Sequence, residues 1–62
     1  MNNQNTKDLL KQIDDGLQHL MEISRPLCEN NDSYVSYIAS SINNTSFELK
    51  KAIQLLKSQL NS

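Results

Sequence analysis

Apolar residues recur in the first half of the chain at alternating steps of three and four: Leu10, Ile13, Leu17, Leu20, Ser24 and Leu27, with Ser24 as the one polar member. That is the a/d spacing of a helix packed along a single stripe. The second half carries a stripe of its own, Val35, Ile38, Ile42, Thr45, Leu49, Ala52 and Leu56, widened on one side by Ala39, Ile53 and Leu60. One Gly and one Pro leave almost no material for the tight turns that a sheet would need. The pattern predicts an all-α chain.

Local signals place the boundaries. Asn5 or Thr6 can cap a first helix, and Asp8 suits the positive end of its dipole, so the helix is expected from residue 6 and residues 1–5 as a frayed tail. Pro26 lacks an N–H and disfavours helical geometry at Arg25, which predicts an end near residue 24 with an irregular extension to 29. Glu29-Asn30-Asn31-Asp32-Ser33 is a cluster of turn and capping residues, with Asp32 or Ser33 capping a second helix over 33–60. Residues 6–62 then form a single antiparallel helical hairpin. One signal competes: Thr45-Ser46-Phe47-Glu48 matches a capping box, and Ser40–Ser46 is poor in helix formers, so a break near 43–46 would give a three-helix bundle instead. The heptad phase passes unbroken through this segment, which favours one long helix.

The apolar arc is wider than one seam can cover. Leu9, Met21, Ile23 and Cys28 flank the first stripe, while Ile53, Leu55 and Leu60 flank the second. A chain of 62 residues needs more burial than two helices give each other. A partner surface is therefore expected over Leu9, Leu10, Ile13, Leu17, Leu20, Ile23, Ile42, Leu49, Ile53, Leu56 and Leu60. The simplest occupant is a second copy, giving a four-helix bundle as a homodimer; another helical protein is the alternative. Gly16 and Thr45 fall near mid-length, where small residues predict close helix approach and a register-setting hydroxyl, or else a small pocket or an adaptable groove.

Charge adds less. Six basic and seven acidic side chains give a net charge of −1, so no global field draws the chain to nucleic acid or an anionic membrane. Folding the hairpin on paper gathers Lys7, Lys11, Lys50, Lys51 and Lys57 at the open end with Asp8 and Glu48, a local +3 that could contact phosphate or an acidic protein surface. No apolar run approaches the roughly 20 residues of a membrane span, and the polar first eight residues show no secretory signal, so a cytoplasmic setting is expected.

Catalytic chemistry finds no footing. Asp15, His19 and Glu22 share a helical face, but the order and the single facing carboxylate, Glu48, do not match a di-metal bundle. His19 and Cys28 are nine residues apart on the sequence, too far for a dyad on one helix. With one cysteine there is no internal disulfide, and no phosphate-binding loop, nucleophile elbow or zinc-ligand spacing is present. A non-enzymatic chain without a cofactor or metal is expected.

In size, topology and heptad layout the chain resembles the Rop-type plasmid copy-number regulators, small helical hairpins that dimerise and bind paired RNA loops. The resemblance covers architecture and implies a dimeric bundle. No functional residue of that family maps onto this sequence, and Tyr34, Tyr37 and Phe47 fall in the second half, away from the first-helix face such proteins use. The expected function is a small protein–protein interaction or regulatory module working through an apolar helical face. The alternative is a Rop-like RNA- or DNA-binding regulator using the lysine-rich end.

Overall fold

Pro26 acts where its chemistry requires. The structure, a computed structural model, describes residues 3–60. Its first helix, α1, runs Asn3–Ser24 and passes directly into a 3₁₀ turn, Arg25–Glu29, with Pro26 in the first turn of that segment. After Asn30–Asp32 the chain returns as α2, Ser33–Leu60. The fold is thus an all-α hairpin of two helices. It is antiparallel, since Cys28 meets Ser36 near the connection and Asp14 meets Lys50 further along. The result is a rod with Cα extents of 47 × 15 × 13 Å.

The connection is built from side-chain oxygens. Asn30 Oδ1 accepts the Asp32 N–H at 2.8 Å, and Asp32 Oδ1 accepts the N–H groups of Tyr34 at 2.9 Å and Val35 at 3.3 Å. The Asp32 carbonyl takes the first helical bond, from the Ser36 N–H at 2.9 Å. Asp32 is therefore the N-cap of α2, one of the two residues predicted for it. No described residue has a positive φ, so the turn closes without glycine. A 2.6 Å bond from the Ser36 hydroxyl to the Cys28 carbonyl ties α2 to the 3₁₀ segment.

Two expected boundaries change. α1 starts at Asn3, not at residue 6, so Asn5 and Thr6 lie inside the helix and do not cap it. Met1 and Asn2, the rest of the expected tail, lie outside the described residues. Once a helix has formed, each further residue adds a hydrogen bond at little cost, so a weak capping signal does not stop it. The break near 43–46 is absent: α2 is continuous through Asn43, Asn44 and Thr45, so Thr45 lies inside the helix and does not cap one, and Ser46 is buried.

The core differs from the predicted stripe in a systematic way. Leu10, Leu17, Met21 and Ser24 of α1 and Ala39 and Ser46 of α2 are the buried residues. Ile53 and Leu60 extend this seam as half-buried residues. The sequence pattern puts Met21, Ile53 and Leu60 on the flanks of the stripes. In contrast, Ile13, Leu20 and Leu27 of the first stripe and Ile38, Ile42, Leu49 and Leu56 of the second are exposed. An a/d stripe bisects the directions to two neighbours in a bundle, and a hairpin supplies only one. The seam therefore takes one edge of each stripe and leaves the other open.

Replacing Asp32 with Ala removes the acceptor for two amides at the start of α2. A loss of about 1 kcal/mol is expected in urea unfolding, whereas Ser33→Ala should have a smaller effect.

Candidate interaction face

The open edges of the two helices form one surface. On α1 the residues Leu9, Ile13, Gly16, Leu20 and Ile23, continued by Leu27 in the 3₁₀ segment, repeat at steps of four and three, all exposed. On α2 the matching row is Val35, Ile38, Ile42, Thr45, Leu49, Ala52 and Leu56, exposed except for half-buried Val35. Helical spacing puts each row on one side of its helix. Two recesses join the rows. Towards the connection, a recess of about 280 Å³ is lined by Leu20, Ile23, Ser24, Leu27, Tyr34, Val35, Ile38, Ala39 and Ile42. At mid-length a second, of about 370 Å³, is lined by Leu17, Leu20, Ser41, Ile42, Thr45, Ser46 and Leu49. Leu20 and Ile42 border both, so the groove is continuous, and no charged side chain lines either recess.

The eleven residues expected at a partner interface divide accordingly. Leu10 and Leu17 are buried within the hairpin, and Ile53 and Leu60 are half-buried there. Leu9, Ile13, Leu20, Ile23, Ile42, Leu49 and Leu56 remain open, Leu20 and Ile42 each at 39% exposure. Leu27, Val35, Ile38 and Tyr34 line the recess near the connection although they were not in the expected set. The first three were already on the stripes, so their heptad positions were the signal. Gly16 corrects another expectation. A Cβ built there meets nothing within 4 Å, so within the hairpin it permits no close approach.

The five lysines do not gather as a single pole. Lys7, Lys11 and Lys57 line one recess with Asp8. Lys50 pairs with Asp14 at 3.3 Å, the two side chains 22% and 17% exposed. The Gln54 amide also donates to Asp14, at 3.5 Å. Lys51 lies 5.1 Å above the Phe47 ring and 3.1 Å from Glu48. Lys11 holds Asp15 at 2.9 Å. Asp14 and Asp15 thus belong with the lysines, because a helix carries side chains all round its axis and the hairpin brings opposing ones together. The open half, residues 3–16 and 47–60, then sets five lysines against four carboxylates, a net +1 in place of +3. The half nearer the connection sets Arg25 against Glu22, Glu29 and Asp32, a net −2.

Among the described residues no three His, Cys, Asp or Glu side chains converge on a common metal position. His19 is exposed. Cys28 is half-buried, its thiol donating to the Ser24 carbonyl at 3.5 Å. No described helix is long and apolar enough to cross a membrane.

Burial separates the ion pairs. A double-mutant cycle on Lys50 and Asp14 is expected to give a coupling of about 1 kcal/mol that survives added salt. The fully exposed Lys11–Asp15 coupling should disappear in salt. The hydrogen bond to Asp15, and then its charge, hold Lys11 above its ordinary pKa of 10.5. The folded state binds that proton more tightly than the unfolded chain does. The stabilisation is therefore present below about pH 10 and lost as pH rises through the folded value. Lys11→Met should remove that part of the alkaline dependence in urea titrations. No protein family, curated protein or solved structure matches the chain.

Proposed function

We propose that this protein is a non-enzymatic interaction module that acts by docking its open apolar face on another helical surface. The observation that carries the reading is the groove that Leu20 and Ile42 share, continuous, bordered by leucine and isoleucine, and free of charged lining residues. Solvent-exposed leucines scattered singly are ordinary, but a contiguous apolar groove lined by residues of 17–27 and 34–49 marks a binding surface. Its occupant would be a second hairpin completing a four-helix bundle or a helical partner protein. In either case the chain regulates by being bound.

The exposure of the face is testable in dilute protein. Below its association concentration the protein is expected to enhance the fluorescence of the hydrophobic dye ANS. Substituting Lys for both Ile23 and Ile38 should abolish that signal while far-UV circular dichroism stays helical. Tyr37→Lys, on an exposed residue outside both recesses, should leave it unchanged. Equal dye binding by all three proteins would overturn the reading.

A further inference from the structure

We infer that the occupant of the apolar face is a second copy of this chain, laid face to face and head to tail. The inference rests on the docking reading above and names its partner. The first argument is area. A compact monomer of 7.1 kDa would expose about 4,100 Å², whereas this hairpin exposes 4758 Å². One broad side of the 47 × 15 × 13 Å rod has a Cα footprint of about 700 Å², so a copy covering that side approaches the roughly 800 Å² per partner of a stable interface.

The second argument is shape. A single helix, about 10 Å across, fills the groove between Leu20 and Ile42 but leaves an outer rim uncovered over much of the rod. Covering both rims from end to end takes an occupant two helices wide and as long as the rod, apolar and uncharged on one side. This hairpin has those dimensions and that face. Self-pairing over the recesses also brings no like charges together, because they carry no ionisable group except the Tyr34 phenol.

Gly16 supplies a third observation. Glycine inside a helix is unfavourable relative to alanine, and nothing within the hairpin fills the space beside it. Its place between Ile13 and Leu20 on the open row makes it the point on α1 where a helix of a facing copy can come nearest. Charge sets the direction. Head to tail, each half of net +1 lies over a half of net −2, while the opposite arrangement stacks −2 on −2.

Sedimentation equilibrium with an inter-label distance measurement tests both parts. The wild-type chain is expected at twice 7.1 kDa at micromolar concentration. Leu20→Glu and Gly16→Phe should each raise the dimer dissociation constant at least tenfold. Asn44→Glu, on an exposed residue outside the recesses, should not. Gly16→Phe enters open space and removes a helix-weakening glycine, so it keeps the hairpin foldable if Leu20→Glu does not. In a Cys28→Ser background with a spin label at Asn31→Cys, the two labels should lie close to the 47 Å rod length apart. A dimer with labels within about 20 Å, the helix-layer spacing plus two label arms, overturns the head-to-tail arrangement. A dimer indifferent to both face substitutions overturns the assignment of this face. A monomer that still binds the dye through Ile23 and Ile38 overturns the second copy and leaves the docking reading standing; a monomer that does not bind it overturns both.

Discussion

Two helices can touch only along a line, and a line buries one edge of each. The consequences run through the whole molecule. In α1 the edge that meets α2 holds Leu10, Leu17, Met21 and Ser24, while Ile13 and Leu20 on the same helix and Leu27 in the 3₁₀ segment stay 39–50% exposed. In α2 the buried residues are Ala39 and Ser46, and Ile38, Ile42, Leu49 and Leu56 lie open beside them. No described side chain is completely buried. The hydrophobic gain of a lone hairpin is therefore limited by geometry and not by any shortage of apolar residues.

Which edge is buried depends on how α2 is rotated when it leaves the connection. That rotation is fixed by hydrogen bonds. Asp32 caps two amides of the first turn, and the Ser36 hydroxyl reaches back to the Cys28 carbonyl at 2.6 Å. Further along, Asp14 accepts from both Lys50 and Gln54, holding the same register from the polar side. Asn43 shows the cost of this arrangement, since its buried Oδ1 has no partner within the hairpin. A rotation of α2 that brought Ile42 into the seam would have to break the bonds from Ser36 to Cys28 and from Lys50 and Gln54 to Asp14.

The helices and the connection were legible because their signals are local. Pro26, Asp32 and the alternating steps of three and four act within one or two turns, and each has the predicted effect. The uninterrupted heptad phase also decided correctly against a break at Asn43–Asn44, where propensity alone pointed the other way. The assignment of seam and face was not legible. A stripe centred between two neighbours reads the same whether one neighbour or two are present, so Leu17 and Leu20 look equivalent in sequence and differ fivefold in exposure, 8% against 39%. The lysines failed for a related reason. Placing Lys50 and Lys51 at the open end used only their distance along the rod, whereas Asp14 and Phe47 engage them by direction around it.

The small residues of the seam and the large residues of the face have one cause. Ala39 and Ser46 offer little bulk where α2 is buried, so the two helices can approach closely there. Had Ile42 or Leu49 occupied those positions, the helices would stand further apart and the hairpin would bury more apolar area for itself. Instead the bulky residues stand at the rim of a groove free of charged lining, and the strongest polar contacts between the helices, at Asp14 and Lys50, lie outside that groove. A sequence selected only for a stable two-helix unit would put its isoleucines in the seam and its serines and lysines outside. In α2 the two fully buried residues, Ala39 and Ser46, are small, while Ile38, Ile42, Leu49 and Leu56 of the exposed row are bulky and apolar. That distribution suits a helix whose larger contact is made with something beyond its own hairpin.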